Sequence, residues 1–303
     1  MARTDTQVYR PFRGTIGGSR FGFMALARAG IAAATKRKLP LVILYGPPAI
    51  ATIIFSFVVY ARFSLEAGVT PEALGGRSPA SVIAAGFAKT IIQVREQIAL
   101  FHLAMSLFTL LVIAWFGAGL IADDRRLGAH LLYFARPLSR GGYLAAKFLV
   151  LFFFGGITVV APGLVICIVA AFASPDFAFL RDEGSLIPRS ILFGALWAGA
   201  WGSVMLAISS LFVRKTFALV ASFAFFMITT VVSVVLANLQ DDNRFLMLSL
   251  QWNLQRIAGW MLDGPPMENL QWDVRWSFAV VSGVTAAAWG ILCARVRRFE
   301  ASS

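Results

Sequence analysis

Two acids, two arginines and a leucine stand in a row at Asp123-Asp124-Arg125-Arg126-Leu127, followed by Arg136-Pro137-Leu138-Ser139-Arg140 and then by Tyr143 and Lys147. Charges of both signs packed this closely can dock against a partner surface, where opposed or matched charge changes the contact by several kcal/mol. Covalent chemistry has no such support. No nucleophile stands beside a base at workable spacing, no G-x-x-x-x-G-K-[ST] loop is present to cradle nucleotide phosphates, and no H-E-x-x-H occurs. His102 and His130 are the only histidines, and His102, near one end of an apolar stretch, reads as an interfacial polar side chain. Cys167 and Cys293 both fall inside apolar stretches, which indicates neither a disulfide nor a metal site. The expectation is no catalytic, cofactor-binding or metal-ligating residue in this chain.

The local chemistry around the charged row predicts a lever. Asp123 and Asp124 would open a short helix, where the macrodipole favours negative charge. Arg136 precedes Pro137, so that helix should end there. Ser139 can cap the following helix, which runs on into an apolar stretch. A short stiff helix held between two long apolar segments suits a membrane protein that is pushed from the cytoplasm. The alternative is a charged loop that only satisfies membrane topology.

The elements that hold this row are set by composition. The chain is 58% hydrophobic and 14% charged, with a mean hydropathy of +0.76, whereas soluble domains carry about 25% charged residues. Six stretches reach the roughly 20 apolar residues that a hydrocarbon core requires: about 40–61, 98–122, 148–173, 190–212, 217–239 and 277–295. None has a charged residue near its middle. Residues 1–38, 123–147, 213–216 and 295–303 fall on one side and hold 18 Lys/Arg against 4 acids. The other side holds 9 Lys/Arg and 11 acids. The positive-inside rule then places both termini in the cytoplasm. The pI near 10.6 is a topology signal, not a nucleic-acid footprint, since no soluble domain is left to carry one. The first apolar stretch lies behind a long basic lead and has no small-residue cleavage motif, so it does not read as a signal peptide.

The flanking segments carry further signals. Residues 1–38 form a basic cytoplasmic tail whose later part, from Ser19, reads as an interfacial helix, a floppy tail being the alternative. Residues 39–303 form a single six-span domain. Pro47-Pro48 after Gly46 should kink or locally unwind the first span and turn it toward protein. Ser78-Pro79 starts an external helix whose stripe Ile83, Phe87, Ile91, Val94 and Ile98 leads toward the second span. A second external helix is expected over 240–264, with Leu246, Leu250, Leu254, Ile257 and Met261 on one face and Arg244, Gln251 and Gln255 on a water-facing one. Gly155-Gly156 and the four-residue spacing of Gly194, Ala198 and Gly202 predict close helix packing.

The row at 123–147 resembles the permease subunit of type-2 ABC exporters, in which an acid pair, an "RPLSR" run, a Tyr and a Lys join the second and third spans. Asp123, Asp124, Arg136 to Arg140, Tyr143 and Lys147 carry that likeness. The basic start, the six-span layout and the basic end Arg295-Val296-Arg297-Arg298-Phe299-Glu300 extend it.

The resemblance implies an all-α polytopic protein. It would have six spans, an N-terminal interfacial helix, a cytoplasmic coupling helix between spans two and three, and external amphipathic helices before spans two and six. Two cytoplasmic ATPase subunits, a second identical or different permease subunit and membrane lipid would be its partners. ATP and Mg would sit on the ATPases, and the whole would lie in a bacterial or archaeal cytoplasmic membrane. Asp123, Asp124, Arg125, Arg126 and Leu127 would then meet the ATPase, Arg136, Pro137, Leu138, Ser139 and Arg140 would fix the elbow, and Tyr143 and Lys147 would anchor the next helix at the inner headgroups. Two alternatives remain: a membrane scaffold that signals mechanically with an ABC ATPase, and a secondary transporter, for which no equal-half repeat is visible.

Overall fold

The computed structural model describes residues 22–36, 38–66, 94–129, 138–264, 267 and 269–301. Among these the chain is helical throughout, apart from short turns, and holds no strand. Its α-helices are α1 (Gly22–Thr35), α2 (Lys38–Glu66), α3 (Val94–Arg126), α4 (Arg140–Ala173), α5 (Ala178–Asp182), α6 (Leu186–Leu211), α7 (Lys215–Gln240), α8 (Leu250–Met261) and α9 (Val274–Ala301). Six of them are long and apolar enough to cross a membrane: Lys38–Ser64, Val94–Arg126, Arg140–Ala173, Leu186–Leu211, Lys215–Gln240 and Val274–Arg298. They match the expected spans to within a few residues at most ends. The start of α4 departs most, because its first two turns are polar enough to hide from a hydropathy reading.

Burial sorts the spans into a centre and a rim. Within the most apolar window, 67% of α6, 56% of α3 and 44% of α4 are buried, against 17% of α2 and α7 and 22% of α9. Lipid tails are as apolar as leucine, so close contact between spans depends on van der Waals fit more than on hydrophobicity. Small residues supply that fit. A Cβ on Gly155 would meet Ile113 and the Ala198 methyl at 3.0–3.2 Å, and one on Gly194 would meet Val160 at 2.6 Å. One on Gly163 would meet the Ser190 hydroxyl at 2.6 Å. Gly156 differs: among the described residues its Cβ would meet nothing within 4 Å.

α1 is a helix, as expected, and Ala27 is buried against Ala146, Val150 and Phe154 of α4. Two features of the sequence reading change. α2 stays α-helical through Pro47 and Pro48 instead of unwinding. The turn there faces protein, with Pro48 buried and Tyr45 donating to the Phe154 carbonyl at 2.8 Å. The expected external helix at 78–98 lies mostly outside the described residues, and only its end, Val94 to Ile98, is seen, inside α3.

The segment before α9 is the larger correction. It begins with a 3₁₀ turn over Asn243–Leu248, capped by Asp242, whose carboxylate accepts from the Arg244 amide at 2.9 Å. α8 follows, but its polar residues do not face water: Gln251 and Gln255 are 6% exposed and Asn253 is fully buried. Leu250, Leu254 and Ile257 are buried as well. Both faces of α8 are covered because it is inserted among α3, α6, α7 and α9. The Asn253 amide donates there to the Met247 and Ser249 carbonyls at 2.7 and 2.8 Å, while its Oδ1 and the Gln255 Oε1 find no partner among the described residues.

Candidate functional site: the linked ends of α3, α4 and α6

Asp123 and Asp124 do not open a separate helix. They lie in the last turns of α3, which runs unbroken to Arg126 and then turns at Gly128 with a φ of +66°. The expectation failed because Ala122 to Arg126 has no breaker, so nothing stops α3 at the hydrophobic limit. The first residue with a left-handed backbone is the glycine, which adopts it at no steric cost. At a helix C-terminus a carboxylate meets the wrong end of the macrodipole, so each acid needs a local partner.

Asp124 has partners on α4. Its Oδ2 lies 2.6 Å from the Lys147 ammonium and accepts from the Tyr143 hydroxyl at 2.8 Å. The ammonium also lies 5.4 Å from the centre of the Tyr143 ring. The two charged side chains are 9% and 14% exposed, and Tyr143 is fully buried. Tyr143 and Lys147 therefore turn inward onto α3, not outward to headgroups. Charge-assisted bonds of this length are the strong class. Asp123 pairs more loosely with Arg126 one turn on, at 3.5 Å, and both are substantially exposed.

Arg125 extends the link to α6. Its guanidinium donates to the Ser210 and Phe212 carbonyls at 2.8 and 3.2 Å, filling acceptors that a helix C-terminus leaves open. Ser209 adds a second link: its hydroxyl donates to the Ala118 carbonyl at 2.9 Å and accepts from the Ile121 and Ala122 amides at 3.3 and 3.2 Å. Arg295 of α9 reaches the same Ser210 carbonyl at 3.5 Å.

Ser139 caps α4 as its position suggested, accepting from the Gly142 amide at 3.0 Å. Leu127 is 70% exposed, and Arg140 is exposed in the first turn of α4. Leu138 is half-buried. Arg136 and Pro137 lie outside the described residues, as does the rest of the expected coupling helix beyond Ala129.

Sequence reasoning missed Ser209, Ser210, Arg295 and Lys215. The Lys215 ammonium stands 4.5 Å over the Trp115 ring. Lys215 registered only as a topology charge and Arg295 only as part of the basic end, and a serine near the end of a span has no signal of its own. A cleft of about 580 Å³ lies beside the charged row, bordered by α1 and α2 and lined by Trp115, Asp123, Asp124, Lys147 and Lys215.

The opposite end holds a different polar cluster. His102 is not interfacial but 2% exposed. Its Nε2 lies 2.9 Å from the Ser190 hydroxyl and its ring lies edge-on to Phe193. Among the described residues no group of three or more His, Cys, Asp or Glu could hold a metal.

A family model described as "ABC-2 family transporter protein" matches residues 80–261. That stretch contains the charged row, the central spans α3, α4 and α6, and α8. No curated protein matches the chain.

Proposed function

The chain belongs to the ABC-2 family of transporter permeases, and from this premise we propose that it is the membrane-spanning subunit of an ATP-driven exporter worked by separate cytoplasmic ATPase subunits. As a family member with six spans it is a multi-pass membrane transport component. The ATPase partner, the outward direction, a second permease subunit and the cytoplasmic side of the termini belong to the proposal.

One observation carries the reading: the end of α3 is bolted to two other central spans. The Asp124–Lys147–Tyr143 cluster ties it to α4, and Arg125 with Ser209 ties it to α6. A free charged loop would absorb a push by bending. Here a force on the segment after α3 reaches three spans together, since packed cores respond as bodies and not as continuously deformable material. Arg126, Leu127 and the half-exposed Asp123 make the contact surface at the end of α3, while Asp124 and Arg125 pass the load inward. ATP and Mg act on the partner; this chain supplies the surface, the bolts and the path.

The test separates surface from bolt. Asp123→Arg with Leu127→Asp alters one exposed and one half-exposed side chain and leaves the Asp124–Lys147 pair intact. The permease should reach normal membrane levels and keep its thermal stability, while ATPase co-purification falls and transport is lost. Full ATPase binding and full transport in that variant would reduce the row to a topological charge cluster. Intact ATPase binding and hydrolysis with no vectorial transport in the unaltered complex would favour the scaffold alternative.

A further inference from the structure

A groove of about 640 Å³ runs along the outside of α4, between α1 and α6. Among the described residues its lining is apolar, including Met24, Phe153, Gly156, Ile157 and Ile191, with one cation, Arg28, and no acid. Arg28 is exposed and makes no hydrogen bond or ion pair among the described residues. The groove follows α4 from Leu149 to Leu164, about 22 Å at 1.5 Å per residue. That exceeds the ~15 Å depth of one leaflet's hydrocarbon.

We propose that this groove binds one anionic phospholipid, its phosphate on Arg28 and an acyl chain along α4 past Gly156. Three observations select this occupant. A guanidinium recognises phosphate through paired hydrogen bonds, and among the described lining residues no carboxylate competes for it. Arg28 lies on the short helix that precedes the first span, and anionic headgroups gather around basic segments that adjoin a span. Gly156 carries a cost in a helix of about 1 kcal/mol relative to alanine, and among the described residues no atom of a neighbouring element lies within 4 Å of where its Cβ would stand. Gly155 and Gly194 are explained by close packing; Gly156 is explained by a groove that must stay open. The lipid would fasten α1 to α4 and α6, giving the basic lead segment a fixed seat beside the transport spans.

The proposal takes from the preceding section only the side on which α1 lies. Its test needs neither ATPase nor transport, so either reading can fail without the other. The full-length permease, purified in detergent, is offered phosphatidylglycerol or phosphatidylcholine with the same chains and followed by native mass spectrometry. Wild type should retain one phosphatidylglycerol in preference to phosphatidylcholine. Arg28→Gln should weaken that retention roughly fivefold, the effect of one interfacial cation, and Arg28→Lys should largely restore it. Gly156→Phe fills the groove from a position with open space, so it should exclude both lipids at an unchanged unfolding temperature. Equal phosphatidylglycerol retention by Arg28→Gln, or a retained lipid in Gly156→Phe, overturns the proposal. Conversion of a dimer to a monomer by Gly156→Phe also overturns it, because the groove would then be a contact between two copies of the chain.

Discussion

Asp123 and Asp124 are neighbours in sequence and opposites in situation. Asp124 is buried against Lys147 and Tyr143, whereas Asp123 shares a loose, exposed pair with Arg126. Removing one member of a buried pair leaves an uncompensated charge and costs about 3–5 kcal/mol. An exposed pair contributes about 0–1 kcal/mol. Lys147→Met should therefore lower the thermal unfolding midpoint of the purified permease clearly, and Asp123→Asn should hardly move it. Lys147→Met combined with Asp124→Leu should recover much of the loss, because no bare carboxylate remains. Equal midpoints for Lys147→Met and wild type would show that the pair is solvated and holds nothing together. Reversing both acids together is thus a poor coupling probe, since it breaks a bolt as well as a surface. The sequence displays the row of charges but not this division, because Lys147 lies beyond a loop whose path no local pattern reveals. Ser139 was legible for the converse reason: a cap depends only on the amides of its own first turn.

Helices were the most legible elements, and their surroundings the least. The stripe Leu250, Leu254, Ile257 located α8, but the turn before it was hidden inside the single helix expected over 240–264. The same periodicity misassigned the polar face. An amphipathic pattern says that a helix has two faces, not that water covers the polar one. Here spans cover it, and backbone carbonyls take the Asn253 amide donors instead. The consequence is measurable. A cysteine at Gln251 should resist a membrane-impermeant thiol reagent, while one at the exposed Asn243 should react. Rapid labelling at Gln251 would return α8 to the surface. α3 teaches the same lesson at its other end. Hydropathy marks where lipid stops, but a helix stops only at a breaker, so α3 carries its charges four residues past the apolar limit, to Arg126.

At the scale of the whole chain, six spans return both ends to the same side, and only charge says which side that is. The segments on the terminal side carry 18 Lys/Arg against 4 acids, and those opposite carry 9 against 11. Positive residues near span ends resist translocation, so the terminal side should be cytoplasmic. The order of burial among spans was not legible, since all six are similarly apolar; α6 became central through Gly194, Ala198 and its serines, which matter only once neighbours are in place. Topology depends less on such fit than on the charge count, and so it can be tested with the fold undisturbed. A single cysteine at Ser303 should stay unlabelled by an impermeant reagent in intact cells and react once the membrane is opened. A cysteine at Gly75, in the segment between the first two spans, should react in intact cells. The double result is needed, because a buried Ser303 would also stay silent before opening but would remain silent afterwards. Labelling of Ser303 from outside, with Gly75 protected, would invert the molecule. It would put the Asp124–Lys147 bolt and the exposed row at Asp123, Arg126 and Leu127 out of reach of any cytoplasmic ATPase, and the exporter reading would fall with the orientation.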